Sequence, residues 1–584
     1  MTLIAGIFNR NNQPVSDAAA AALRQAISRN PADEVQVFSD HRSYFAKVDL
    51  GAFGSPGFIH DSSGALSLLA GEPLLNNGGA YSNRLQDLTI LHEQAVKNNW
   101  TELRVAEGTF SLAHYQPGTG TLCLGADKVG VRPLYFWFDD RTVVFASALR
   151  IMEQLWFVPK QMDLRAVTEI AALGTPLADR TPYTGIYLVK PAEIVKVTNE
   201  TVSRHRYWRW DEIKTVPESE PIRLKTVYDG FQAAIKRRNG QDRATAAYLS
   251  GGLDSRCIVA ALCAYGVQVR TMNFARPGTQ DHDFGNEFAQ NIGSVHESLP
   301  KERGDNVPDY SFLMAEALRR SNYHQWPAER PQLVWSGESG SGLLGGVGLT
   351  ESIVAFMRNG RIDDAVAEYL RLGQRNIPLK LFRPAIVENL RPFIKQGITE
   401  ELKSLQAADA GWDFYIFLMH TDQRRNLARH FENLDLHRLE LQLPFFDGGF
   451  LTAVMAMPLD WCLNHRFYNK WLALLSPAVT SVPWQAYPGH EPCPLPVSEK
   501  LLYQWDKSYR VEEDASRKQK VLKRAAAVLH SVKFPDHILI KRNLRLAAWL
   551  HALGWRDYEY AIEAAEIYSR YAAMVAPNTP RFHS

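Results

Sequence analysis

The string Tyr248-Leu249-Ser250-Gly251-Gly252-Leu253-Asp254-Ser255 constrains this chain more than any other feature. The run 245–249 before it reads as a strand and the run 255–265 after it as a helix, which places two glycines, two hydroxyls and a carboxylate on one tight turn. Such a turn is an anion site. Glycine lets the backbone approach phosphate oxygens, and the helix N-terminus supplies unpaired N–H groups and partial positive charge. Ser250 and Ser255 add hydroxyl donors. Asp254 is placed to hold a magnesium ion against the same phosphates. A strand at 268–274 and a helix at 224–238 flank the unit, and strand, helix, strand with short joints implies a right-handed parallel βαβ crossover. A further strand at 332–336 opens into a second glycine-rich loop, and most of the chain beyond it reads as helical.

From Met1 to about Trp210 the pattern is different: short strand-like runs at 4–8, 66–70, 122–125, 134–137 and 143–146 alternate with turns. The polar stretch 214–221, with two prolines, reads as a linker. The expected division is therefore a β-rich domain over 1–210, an α/β domain over 220–510 and a helical extension over 511–584. At 584 residues the chain exceeds one ordinary core. A net charge of +2 leaves no bulk field to attract nucleic acid or an anionic membrane. No apolar run approaches the roughly eighteen residues of a membrane helix, and residues 1–8 lack the basic start of a signal peptide. The five cysteines are scattered and never form a C-x-x-C pair, which fits a reducing, cytoplasmic setting.

The string at 248–255 resembles the pyrophosphate-binding loop of N-type ATP pyrophosphatases, and its S-G-G-L-D-S core is similar to that of the glutamine-hydrolysing (type B) asparagine synthetases. Residues 1–8 resemble that family's M-C-G-I-A-G-I-F opening. Glu107-Gly108-Thr109-Phe110-Ser111, the stretch Asp127-Lys128-Val129-Gly130-Val131-Arg132-Pro133-Leu134-Tyr135, and Ala146-Ser147 are similar to its glutaminase-domain patterns. Glu440-Leu441-Gln442-Leu443-Pro444-Phe445-Phe446-Asp447 resembles E-v-R-x-P-F-L-D near its carboxyl end. The resemblance implies an α/β protein. An Ntn-hydrolase-like (class II glutamine amidotransferase) αββα sandwich would precede a doubly wound parallel-sheet ATP pyrophosphatase domain with many helices. It also implies that a carboxylate, aspartate by default, attacks the α-phosphate of ATP to give an acyl-adenylate and pyrophosphate, after which ammonia or an amine takes the acyl group. In that scheme Tyr248 and Met272 contact adenosine and the residues from Leu249 to Ser255 surround the phosphates. Ser336 and Gly337 line a second phosphate loop, Glu338 helps deprotonate the amine, and Asp254 binds magnesium. A homodimer is a further expectation.

The departures from the pattern carry their own expectations. Thr2 stands where the family has its cysteine. A threonine freed by removal of Met1 is chemically competent as a nucleophile, but Leu3 replaces the neighbouring glycine and Leu69-Ala70-Gly71-Glu72-Pro73 replaces the N-G-E-I-Y segment that recognises glutamine. An inactive glutaminase is expected. Ser341 and Gly342 replace an acidic pair, so either weaker metal binding or a substitute carboxylate such as Asp281 or Asp283 is expected. Tyr487 replaces a lysine, and His490 nearby is a candidate to supply a proton or a charge. The basic residues Arg517, Lys518, Lys520, Lys523, Arg524, Lys533, Lys541, Arg542 and Arg545 read as a solvated helix face, with docking of an acidic protein or peptide as the alternative. ATP-dependent amide formation is the leading expectation. A macrolactam (lasso-peptide) or β-lactam cyclase acting on an internal amine comes second, and a non-catalytic nucleotide-binding relative third. No nucleic-acid or membrane partner is expected.

Overall fold

A computed structural model describes residues 2–76, 83–300, 309–320 and 326–574. Two six-stranded antiparallel sheets form its N-terminal part. The first runs Ile186–Leu188, Tyr135–Phe138, Thr142–Ala146, Thr2–Asn9, Ser43–Asp49, Gln36–Ser39. The second runs Val202–Arg206, Glu193–Val197, Thr121–Ala126, Phe110–Gln116, Leu66–Gly71, Phe58–His60. The strand Thr2–Asn9 lies near the middle of its sheet and is buried on both faces, so it reads as a continuous apolar run. Ile4 and Phe8 point between the sheets with Phe45, Leu68 and Leu124. Leu3, Ala5 and Ile7 point the other way, beneath the helices Asp17–Ala26 and Leu149–Gln154. The helix Arg84–Val96 covers the outer face of the second sheet through Leu88 and Leu91. The result is a four-layer αββα sandwich.

The second part is built on a five-stranded parallel sheet in the order Val295–Ser298, Gln268–Asn273, Ala244–Tyr248, Leu333–Trp335, Glu440–Gln442. Each strand expected from the sequence is present. The fifth, Glu440–Gln442, lies within the region read as helical; at three residues it is too short to show a periodicity. The stretch read as a linker also contains structure. The helix Glu220–Asn239 begins inside it, with Pro221 in the first turn, where a missing N–H costs nothing. No described helix is long and apolar enough to cross a membrane.

Three helices, Lys507–His530, Lys541–Ala552 and Glu559–Met574, close the described chain. Much of the basic stretch is used among them. Arg517 pairs with Glu559 at 2.5 Å and Arg524 with Glu566 at 2.5 Å, and Lys541 lies over the ring of Phe534. Lys520, Arg542 and Arg545 are exposed, as a solvated face would be. The bundle is tied to the rest by Tyr568, which bonds Thr168 at 2.5 Å and meets the Phe382 ring edge-on.

Asp447 joins the two main parts. Its carboxylate accepts from Arg237 and Arg238, each at 2.6 Å, and caps the helix Gly448–Met455 at Phe450 N. Arg238 also donates to the Glu107 carbonyl in the N-terminal sandwich, and the Glu107 side chain accepts from Lys128. Breaking a buried pair strands its partners in a low-dielectric site. Asp447→Asn is therefore expected to destabilise the fold by about 3 kcal/mol, read as a lower urea midpoint at constant slope.

A second buried network sits inside the sandwich: the Ser67 hydroxyl meets Nδ1 of both His92 and His114 at 2.9 Å, and His92 reaches Asp61 at 3.1 Å. The trio Ser67, His92 and Asp61 has the composition of a hydrolytic triad, but Ser67 is 1% exposed and no substrate reaches it. Burial, then the neighbouring His92, pull His114 down to about 4. Between that value and the usual histidine range the unfolded chain holds the extra proton, so stability rises with pH across the interval. The melting temperature should fall as pH drops from about 6.5 to 4, and His114→Gln should flatten part of that slope.

Candidate active site

A cavity of about 690 Å³ opens at the carboxyl ends of Ala244–Tyr248 and Leu333–Trp335, the neighbouring strands between which the strand order reverses. In open parallel sheets ligands bind at this switch point. The loop 249–252 turns there into the helix Leu253–Ala264. Its polar groups are internally satisfied: Ser255 Oγ accepts from Ser250 N at 3.0 Å, Ser250 Oγ accepts from Gly252 N at 3.3 Å, and Asp281 Oδ1 accepts from Gly251 N at 2.6 Å. The Asp281 carboxylate thus occupies a backbone donor of the kind a phosphate oxygen would take. Gly251 has no alternative, because a Cβ there would lie 2.6 Å from the Gln280 carbonyl and 2.7 Å from Asp281 Cα.

The second glycine-rich loop, after Leu333–Trp335, presses on the start of that helix. A Cβ at Gly337 would meet Ser255 N at 2.7 Å, and one at Gly340 would meet the Asp254 carboxyl carbon at 2.6 Å. Close approach lets Ser341 reach Asp254 twice, N–H to Oδ2 at 2.8 Å and hydroxyl to Oδ1 at 2.8 Å, while Tyr468 OH donates to Oδ1 at 2.8 Å. Burial nonetheless pushes the Asp254 carboxyl up against the pull of these donors. Glu338 opens partly onto the cavity, and its carboxyl is raised by burial and by the Asp254 charge.

Of the residues named from sequence, Tyr248, Leu249, Ser250, Gly252, Leu253, Asp254, Ser255, Ser336, Gly337 and Glu338 share this cavity, with Gly251 at the turn behind them. Met272 also borders it, but at 1% exposed it belongs chiefly to the core. Tyr487 faces the cavity and stacks on His465, whose Nδ1 meets His490 Nδ1 at 2.8 Å, so His465 rather than His490 borders the cavity. Tyr468, His465 and Arg256 were not found from sequence. Tyr468, in the helix Arg466–Leu472, and His465 just before it belong to a distant segment with no motif of its own, whereas Arg256 carried a signal, the one basic residue of a largely apolar helix.

For magnesium, the donors present fit an ion that arrives with nucleotide. Three of the acceptor positions of Asp254 are taken by protein donors, Asp281 keeps one oxygen without a protein donor, and Asp283 pairs with His282 at 2.6 Å. Among the described residues no group of three or more His, Cys, Asp or Glu side chains is placed to hold a metal. One or two carboxylate oxygens plus phosphates and water are the usual magnesium shell.

Thr2 lies in the other part of the molecule and is fully buried. Its N–H donates to Glu440 Oε1 at 3.1 Å, and its hydroxyl accepts from Arg84 at 2.7 Å. Arg132 pairs with the same Glu440. The Arg84 guanidinium fills the space at Gly57 and the Arg132 side chain the space at Gly71.

Known proteins divide the chain in a similar way. The glutamine amidotransferase domain family matches residues 88–208 and the asparagine synthase family residues 226–473. The glutamine-hydrolyzing asparagine synthetase 3 of Bacillus subtilis (strain 168) is 26% identical over 188 residues, 31% of this chain and 30% of that protein. The putative glutamine-hydrolyzing asparagine synthetase 2 of Methanocaldococcus jannaschii is 24% identical over 162 residues, 26% of this chain and 31% of that one. The matched stretches span about a third of either relative. Among solved structures, the allosteric regulatory enzyme of purine biosynthesis aligns at 13% identity and a TM-score of 0.25, covering 57% of this chain and 74% of that one. The fold therefore rests on sheet order and layering, an Ntn-hydrolase-like sandwich followed by a doubly wound parallel sheet. With an amidotransferase domain, an asparagine synthase domain and a Ser-Gly-Gly-Leu-Asp-Ser loop between strand and helix, the chain belongs to the asparagine synthetase family.

Proposed function

We propose that the protein is an ATP-dependent amide ligase whose parallel-sheet domain activates a carboxylate, aspartate by default, as its acyl-adenylate. The observation that carries this reading is the convergence of the Ser250–Ser255 loop, Asp254 and Glu338 on one cavity at the switch point. ATP would lie with adenosine toward Tyr248 and Met272 and its phosphates across the loop and Ser336-Gly337, displacing the Asp281 carboxylate from Gly251 N–H. Magnesium, held by phosphate oxygens with Asp254 or Asp281, would offset phosphate charge when bound. An oxygen of the acid attacks the α-phosphorus and pyrophosphate leaves with the electrons of the α–β bond. Ammonia or an amine then attacks the acyl carbon, AMP leaves, and the Glu338 carboxylate, made a stronger base by burial and by the Asp254 charge, accepts the proton.

In this reading the functional division is 1–210, 220–510 and 511–584, and the first domain does not hydrolyse glutamine. The buried Thr2 and its guanidinium neighbours support that. The five free cysteines support a cytoplasmic setting.

The test is carboxylate-dependent exchange of labelled pyrophosphate into ATP with magnesium. Exchange should appear with one acid and vanish in Asp254→Ala. ATP binding without exchange for any small acid would contradict the aspartate default and favour a cyclase acting on an internal amine, or a nucleotide-binding relative without turnover. Separately, ammonium but not glutamine should support AMP release, and Thr2→Val should leave the ammonium-dependent rate within about twofold. Release of glutamate from glutamine that Thr2→Val abolishes would show a working threonine nucleophile.

A further inference from the structure

Arg256 follows directly on the loop, in the first turn of Leu253–Ala264, and is fully buried. Its guanidinium donates to five backbone carbonyls: Gly251 at 3.4 Å, Gly252 at 3.1 Å, Val479 at 3.0 Å, Val482 at 2.8 Å and Pro483 at 2.8 Å. The ring of Phe288 lies 5.1 Å away on one side. Among the described residues no carboxylate stands within ion-pair distance of it.

That placement is costly three times over. A buried charge ordinarily needs a counter-charge, carbonyls stabilise it only through their dipoles, and the first turn of a helix disfavours cations. Burial lowers Arg256 to about 10, which leaves it charged at neutral pH. The neighbouring loop is the one place where an anion would settle, and the resemblance puts a lysine near Tyr487 and an acidic, metal-binding pair at Ser341 and Gly342 that this chain lacks. Arg256 also holds the segment 479–483, which leads through Gln485, whose N–H bonds the Gly251 carbonyl at 3.1 Å, to Tyr487.

We propose that Arg256 is a positioning residue that supplies the fixed cation of the phosphate site: from behind the loop its guanidinium clamps Gly251 and Gly252 to the 479–485 segment and offsets the charge of bound and departing pyrophosphate. This rests on the ATP-binding reading above. It predicts that loss of the charge weakens pyrophosphate binding while leaving the neutral nucleoside in place.

The experiment is calorimetric titration of the full chain with magnesium ATP, inorganic pyrophosphate and adenosine, for the wild type, Arg256→Lys and Arg256→Gln, with near-ultraviolet circular dichroism confirming a native fold. Arg256→Gln should lose roughly ten- to hundredfold in pyrophosphate affinity, hold adenosine within about twofold, and need more magnesium to saturate with ATP. Arg256→Lys keeps the charge but only three of the five donors, and should lose clearly less pyrophosphate affinity than Arg256→Gln. Wild-type pyrophosphate affinity in Arg256→Gln overturns the proposal. So does an equal loss in both variants, or a parallel loss of adenosine, since either assigns Arg256 to scaffolding alone. A wild type that binds neither ATP nor pyrophosphate instead overturns the ATP reading itself.

Discussion

The clasp on Asp254 is the contact on which the cleft depends. One carboxylate, buried at the start of a helix, takes donors from Ser341 after the facing loop and from Tyr468 on the distant helix Arg466–Leu472. It therefore holds together the two loops that flank the switch point. Gly337 and Gly340 are required because the loops touch at van der Waals distance. The same clasp alters the chemistry. Ser341 replaces an acid, and its N–H and hydroxyl now face the carboxylate instead of sharing a cation with it. Hydrogen bonds thus stand where the resemblance puts an acidic metal ligand, and in the proposed reading the charge of bound phosphates would fall on other groups.

The N-terminal sandwich shows the complementary change. Its central strand begins at a threonine that is sealed, not presented, and the sealing groups come from both domains: Arg84 and Arg132 from the sandwich, Glu440 from the edge of the parallel sheet. The two hydrophobic cores merge on that side, with Leu3 and Ile7 in the same cluster as Phe231 and Phe445. The sandwich and the parallel-sheet part thus stabilise each other by burial along that side.

The loop 249–252 was legible in sequence because its chemistry is local. Two glycines, two hydroxyls and a carboxylate between a strand and a helix need no tertiary information. The central strands were legible for the same reason, being long enough to show an apolar run. What escaped depended on distant chain. Glu440–Gln442 is a strand only because Leu333–Trp335 lies beside it. His465 reaches the cavity, and Tyr468 reaches Asp254, from a segment that carries no motif. That Ser341 departs from the acidic pattern was visible; that it would donate to Asp254 was not, since the contact needs the close approach of two loops 87 residues apart. His490 was named for its chemistry, and the fold puts His465 between it and the cavity.

The claim that joins these observations is that the acid is activated at phosphorus in this cleft. Its most direct test uses the acid that turns over, labelled with oxygen-18 in its carboxylate, in a full reaction with ammonium. The account predicts that one labelled oxygen appears in AMP, the mark of an acyl-adenylate. Label in inorganic phosphate, or amide formed with unlabelled AMP, would contradict it.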